Sequence, residues 1–205
     1  MAKAIQKKNS IVHNRLFLPV MCLIAVLIVN LIQTPDFFHI SMNNGVLYGY
    51  IIDIINRGSE LVILAVGMTL VTASSGGQDI SVGAVMAVAG AVCCQILSGG
   101  EVSTNTLAAP IILAALVGIL VSGVCGAFNG LLVAKLHIQP MVATLILFTA
   151  GRGIAQLVTK GQITYIRVDS YKTIGGYIGK CPVPTPVFVA ILTVILVSLI
   201  LKKTA

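Results

Sequence analysis

Residues 107–134 read LAAPIILAALVGILVSGVCGAFNGLLVA, a stretch without one formal charge. An α-helix rising 1.5 Å per residue crosses a hydrocarbon core of about 30 Å in roughly 20 residues, so this run is long enough to span a bilayer. Backbone polar groups in lipid must pair internally, which leaves only helices and closed barrels. Barrel strands alternate apolar and polar residues over about ten positions. Neither this run nor residues 16–32 and 184–201 alternate in that way. The stretch specifies a helix in lipid.

The rest of the chain agrees. From Leu61 to Ala134 the only formal charges are Asp79 and Glu101. Of 205 residues 57% are hydrophobic and 9% charged, and the mean hydropathy is +1.02. A soluble domain carries about 25% charged residues, because water must wet its surface. The net charge of +7 does not indicate nucleic acid. The basic residues sit at the ends of apolar runs, as they do where Lys and Arg set membrane topology. The first run lacks a small-residue cleavage site and is expected to be a retained span. Cys22, Cys93, Cys94, Cys125 and Cys181 form no CxxC pair or Cys/His cluster, so packing is their expected role.

The expected organisation is all-α and polytopic, with about six spans. Residues 1–14 form a basic cytoplasmic tail, and residues 15–205 a transmembrane domain. Spans are expected at 15–33, 61–73, 80–97, 107–134, 141–159 and 184–201. An amphipathic interfacial helix over 50–60 leads into the second span, with Ile51, Ile52, Ile54 and Ile55 set against Asp53, Asn56 and Arg57. Residues 34–49, with Pro35, Asp36, Asn43, Asn44 and Gly45, read as a loop, and 160–182 as a longer polar one. With the tail inside, the inner flanks collect seven positive residues (Lys3, Lys7, Lys8, Arg15, Lys135, Lys202, Lys203). The outer flanks collect five (Arg57, Lys160, Arg167, Lys172, Lys180). Orientation therefore rests mainly on the N-terminal cluster. Small residues recur at four-residue spacing: Gly83, Ala87 and Ala91, then Ser122, Gly126, Gly130 and Ala134. These stripes are expected to let helices approach closely.

Asp79 is the sharpest chemical signal, because a carboxylate near the bilayer core is costly unless it faces a cavity, a partner or the bundle interior. It lies in Gly76-Gly77-Gln78-Asp79-Ile80-Ser81-Val82-Gly83, a broken-helix pattern. Two compatible roles are open: N-cap of a helix starting at Ile80, or part of a polar element lining a permeation path. Asn129, Thr144, Arg152 and Gln156 are further polar residues within spans, Arg152 near a span end where snorkelling is an alternative. His13, His39 and His137 are isolated, and no metal set is indicated. There is no Gly-x-x-x-x-Gly-Lys loop, HExxH or Gly-x-Ser-x-Gly element, so neither ATP binding of that kind nor catalysis is expected within this chain.

These residues resemble a particular family. Leu64-Ala65-Val66-Gly67-Met68-Thr69-Leu70-Val71 followed by the Gly76–Gly83 segment is similar to the signature of the ribose/galactose/xylose class of ABC sugar permeases. In that class the second segment usually reads Gly-Gly-Ile-Asp-Leu-Ser-Val-Gly, so Gln78 is a departure. Gly126-Ala127-Phe128-Asn129-Gly130-Leu131-Leu132-Val133-Ala134, Gln139-Pro140-Met141-Val142-Ala143-Thr144-Leu145, Ala150-Gly151-Arg152-Gly153-Ile154-Ala155-Gln156-Leu157 and Pro184-Thr185-Pro186 continue the series. Asp53-Ile54-Ile55-Asn56-Arg57 is closest to the galactofuranose permease branch.

The resemblance implies a permease subunit of the bacterial inner membrane with its N-terminus cytoplasmic. It implies a second permease subunit as partner (the same chain or a different one), a periplasmic sugar-binding protein and a cytoplasmic ATP-binding subunit. No cofactor is implied. The substrate path would use Asp79, Ser81, Gln78, Asn129, Thr144 and Arg152; Gly83, Ala87, Ser122, Gly126 and Gly130 would pack helices. Family members continue past Lys202-Lys203-Thr204-Ala205 with a coupling helix and further spans, so an incomplete permease lacking its C-terminal half is expected. The rival reading is a truncated or stand-alone membrane scaffold or assembly factor without transport. An ion-coupled secondary transporter would carry more intramembrane acids than the single Asp79.

Overall fold

A computed structural model describes residues 16–43, 45–178 and 181–204. Residues 1–14 (the basic tail, with Lys3, Lys7, Lys8 and His13), Arg15, Asn44 and Lys180 lie outside the described residues. The chain divides into two compact units, meeting in sequence at Ile54 and Ile55.

The first unit begins with helix α1, Phe17–Gln33. A short 3-10 helix, Pro35–Phe38, follows, then an antiparallel hairpin of β1 (Ser41–Asn43) and β2 (Val46–Tyr48) in register Ser41↔Tyr48. Phe37 is the buried anchor of this segment, stacked on Tyr50 at 6.1 Å and edge-on to Phe38 at 5.2 Å. The stretch expected as an irregular loop thus carries its own small hairpin.

Helix α2 spans Tyr50–Ser75 as one element of 26 residues, about 39 Å at 1.5 Å per residue. The amphipathic helix expected over 50–60 and the second span it leads into are one continuous helix. The change from amphipathic to apolar pattern near Leu61 alters the solvent of the side chains but interrupts no backbone hydrogen bond. Gly76 ends the helix with a left-handed φ of +65°, a conformation glycine adopts without steric cost.

The second unit continues with α3 (Val82–Ser98), α4 (Ile111–Ala134), α5 (Pro140–Val158), a short helix α6 (Asp169–Gly175) and α7 (Thr185–Thr204). Among the described residues α2, α4, α5 and α7 are long and apolar enough to cross a membrane, and α1 and α3 have 17 residues each, at the lower limit for a span. The chain is a multi-pass helical membrane protein. Helix α4 starts later than residue 107 because Pro110, at the N-cap position with extended ψ of 140°, sets the boundary.

Helix α3 is the hub of this unit, packing along both α5 and α4. Its buried face is Ala84, Val88 and Ala91, set against Ala114 and Gly118 of α4 and Ala143, Leu147 and Gly151 of α5. The expected stripe is displaced. Gly83 and Ala87 are exposed, and a Cβ at Gly83, Gly126 or Gly130 would meet nothing within 4 Å. Ser122 turns its hydroxyl onto Gly118 O of its own helix at 2.9 Å. Small residues occupy several faces of α3, so spacing alone leaves the phase open; the partner helices choose Ala84 over Gly83.

At the opposite end from the α2–α3 turn, β3 (Ser103–Thr104) and β4 (Tyr165–Ile166) pair in parallel, joining two segments expected as separate loops. Helix α6 is held there by Asn56 Nδ2 donating to Gly175 O at 3.3 Å and Thr185 Oγ1 donating to Thr173 O at 2.9 Å. On its exposed surface Lys172 donates to Asp169 at 2.9 Å, and that bond and charge hold the Asp169 carboxyl below the usual carboxylate range.

A Cβ at Gly151 would sit 3.1 Å from Ala84 Cβ, against a neighbouring helix that cannot swing aside. Gly151→Val is expected to lower the unfolding midpoint in detergent, by a destabilisation of about 1–3 kcal/mol, whereas Gly126→Ala leaves it unchanged. Thermal unfolding of the purified variants measures both.

Candidate functional site

The chain between α2 and α3 leaves helical geometry at residues 76–81 and so exposes backbone donors that must be satisfied. Asp79 takes one of them: Ser81 N–H donates to Asp79 Oδ1 at 2.7 Å. The Ser81 hydroxyl donates to the same oxygen at 2.7 Å. Asp79 is therefore not the N-cap of a helix starting at Ile80. Helix α3 begins two residues later, with Ser81 at its N-cap position, and Asp79 acts one turn earlier by folding the backbone around its own carboxylate. Ile80 N–H, left outside the helix, donates across to Thr144 Oγ1 at 3.2 Å, and Thr144 in turn donates to Met141 O at 3.3 Å. From α4, Asn129 Nδ2 donates to Ser81 Oγ at 2.9 Å.

Four of the six path residues expected from sequence thus meet at one node joining α3, α4 and α5: Asp79, Ser81, Asn129 and Thr144. Ser81, Thr144 and Asn129 are buried, at 0%, 3% and 7% exposure. Gln78, more exposed, borders a cavity that opens beside this node. Arg152 stands apart, exposed on α5 with its guanidinium 4.2 Å from the centre of the Phe148 ring, a cation–π contact.

The two glycines before the node have separate reasons. Gly76 supplies the left-handed backbone, and Gly77 lies so close to Pro140 that a Cβ would come within 2.6 Å of the ring. Pro140, at the first turn of α5, packs the α4–α5 turn onto the α2–α3 turn. Ser75 adds a bond that the sequence left unmarked, its hydroxyl accepting from Gly77 N–H at 3.3 Å.

A cavity of about 370 Å³ opens beside the node, lined by Ser74, Gln78, Asp79, Gly130 and Pro140 among others. A second, of about 740 Å³, lies on its other side between α2, α3 and α4, apolar except where Asp79, Ser81, Ser122 and Asn129 border it. Asn129 borders both. Gly126 and Gly130, expected to pack helices, instead leave room in these walls. The arrangement offers hydroxyl, amide and carboxylate groups at a break between spans, and no nucleophile–base pair.

The family model described as branched-chain amino acid transport system / permease component matches residues 50–205. The chain belongs to that permease family. The permease is 45% identical over 184 residues to the galactofuranose transporter permease protein YtfT of Escherichia coli, covering 89% of this chain and 51% of the relative. It is 36% identical to the fructose import permease protein FruF of Bifidobacterium longum, over 91% of this chain and 51% of the relative. It is 34% identical to the ribose import permease protein RbsC of Haemophilus influenzae, over 85% of this chain and 49% of the relative. The chain thus spans about half the length of the curated relatives it matches. No solved structure matches it.

Ser81 mediates between Asp79 and Asn129, so Ser81→Ala leaves the buried Asn129 amide without its bond. The expected cost in the permease is about 1–3 kcal/mol, read as a lower thermal midpoint. In a double-mutant cycle, Asn129→Leu made on the Ser81→Ala background should cost less than on the parent, since the amide is already orphaned.

Proposed function

We propose that the chain is the membrane-spanning subunit of an ATP-driven sugar importer in the bacterial inner membrane, forming the translocation path for a monosaccharide, with galactofuranose the first candidate. The observation carrying this reading is the 45% identity, over most of the chain, to a relative named for galactofuranose transport. The geometry supports it. A break between spans, ringed by a carboxylate, an amide and hydroxyls beside two cavities, is how transporters expose polar groups within a bilayer. Hydroxyl-rich solutes are recognised by such donors and acceptors.

Arg152 extends the path. It is exposed on a span, and the one ion pair among the described residues is Lys172–Asp169. A guanidinium facing lipid costs up to about 2.5–3.5 kcal/mol, less toward a span end. Thr149 and Gln156, both exposed, lie on the same side of α5 at positions i−3 and i+4. We assign this side to an aqueous path shared with a second permease subunit. A periplasmic sugar-binding protein would deliver the solute, and a cytoplasmic ATP-binding subunit would drive rocking of the spans, with no bond-making chemistry in this chain. Residues 15–205 would form the transmembrane domain. The N-terminus would be cytoplasmic, which puts the Asp79 turn on the inner side, as Lys135, Lys202 and Lys203 favour.

Two experiments test this. Replacing the matching half of the Escherichia coli relative with residues 50–205 of this chain, in a strain lacking its own permease, should restore uptake of labelled galactofuranose; Asp79→Ala in that chimera should abolish uptake at near-normal membrane abundance. A chimera that inserts normally but carries no sugar would favour the scaffold reading. For topology, a membrane-impermeant maleimide applied to intact spheroplasts should label the exposed Cys181 and leave Cys93, Cys94 and Cys125, all partly buried, unmodified. Labelling of Cys181 only after the membrane is opened would reverse the orientation.

A further inference from the structure

The chain doubles back at the end of α5. Lys160 and Gly161 both take left-handed backbone, with φ of +54° and +69°, and Gly161 N–H closes onto Gln156 O at 2.8 Å, which ends the helix. A lysine holds that conformation only where its surroundings impose it. Further on, Tyr165 N–H donates to Val102 O at 2.7 Å and Arg167 N–H to Thr104 O at 2.9 Å. Residues 162–164 are thereby pinned at both ends and returned across α3, which β4 contacts.

A cavity of about 340 Å³ lies beside this return, within the size range of small-molecule sites. Ala87 and Gly90 of α3, Gln156 and Thr159 at the end of α5, and Gln162 and Thr164 of the returning segment border it. The two small residues leave space that no helix fills: both are exposed, and a Cβ at Gly90 would meet nothing within 4 Å. The polar groups around that space are largely uncommitted. Thr159 Oγ1 donates to Ala155 O at 3.1 Å and so has only acceptor capacity left. The side-chain amides of Gln156 and Gln162 have no hydrogen-bond partner among the described residues, and each offers two N–H donors and a carbonyl acceptor.

No charged side chain lines this cavity, and Arg152, one turn away on α5, does not border it. An ion would leave water here without a counter-charge, which is costly. A neutral molecule with several hydroxyls would instead meet both donors and acceptors. We propose that the cavity binds one neutral monosaccharide ring, its hydroxyls held by the Gln156 and Gln162 amides beside the space left by Ala87 and Gly90. The uncharged lining sets a sugar apart from a zwitterionic solute. The site rests on the permease reading and deepens it: the solute is met at the end of the bundle opposite the Asp79 turn, and the exposed Gln156, Arg152 and Thr149 side of α5 leads on from there.

Solute protection of a cysteine placed at the rim tests it. Ile163 borders the cavity and is exposed, and Ile163→Cys leaves both amides in place. In the purified chain in detergent, alkylation at position 163 by N-ethylmaleimide is followed by peptide mass spectrometry. Methyl galactofuranoside, ribose or fructose is added at about 50 mM, enough to fill a site of millimolar affinity. At least one of these sugars should slow alkylation at least about threefold, and glycine betaine, a zwitterion, should not. Gln156→Ala or Gln162→Ala should weaken that protection, and Ala87→Phe should abolish it by filling the space. Ala127→Phe, exposed on α4 and outside the cavity, should leave it intact. Equal alkylation with and without every sugar, protection by betaine as strong as by sugar, or protection that survives Ala87→Phe would overturn the site. A chimera that carries galactofuranose while no sugar protects position 163 refutes this site and leaves the permease reading standing. Protection in this chain beside a chimera that carries nothing counts against the transport reading and leaves the site.

Discussion

A serine hydroxyl has one proton to give, and Ser81 gives it to Asp79. That donation shapes the turn at which three helices are linked. It curls residues 79–81 around the carboxylate, and it makes Ser81 an acceptor for Asn129, which pins α4. Because α3 has not yet begun at Ile80, its N–H is free to cross to Thr144 and pin α5. Each bond consumes a group that the helix break had exposed. The break and the interhelical links are therefore one feature: without the break there would be no spare backbone donor, and without the links it would be too costly to keep in a membrane protein.

Close approach sets the rest of the geometry. Gly77 against Pro140 and Gly151 against Ala84 bring backbones together where any larger side chain would part them. In lipid there is no hydrophobic gain from helix association, so such contacts act through dispersion and shape. They explain why the α3–α4–α5 group is the densest part of the second unit. They also explain why its packing is carried by Ala84, Val88 and Gly118 and not by the glycines bordering the cavities. A Cβ at Gly126 or Gly130 would meet nothing within 4 Å, so these two take no part in those contacts.

The polar residues within the spans divide into two sets with different physics. Asp79, Ser81, Asn129 and Thr144 are linked by hydrogen bonds, Asp79 half-buried and the other three buried. Arg152 lies over the Phe148 ring and is exposed. A satisfied buried network favours rigidity, whereas an exposed intramembrane charge demands a watery or protein neighbour.

Much of this was legible in the sequence. Apolar runs of sufficient length dictated helical spans, because lipid offers no other partner for the backbone. Glycines at 76 and 77 located the break, and the acid at 79 lies in the hydrogen-bonded node beside it. The sequence could not say that Asp79 bonds to Ser81 instead of capping a helix at Ile80, since both geometries use the same residues at the same spacing. Nor could it separate Arg152 from the node: residues 129, 144 and 152 are alike in being polar and within spans, and only the crossing of α3, α4 and α5 brings the first two to Ser81. The phase of α3 was hidden for a related reason. With small or apolar residues on several of its faces, burial is settled by which neighbours arrive, and those neighbours are distant in the chain. Local chemistry determined where the helices are and where they stop; long-range packing decided which atoms meet.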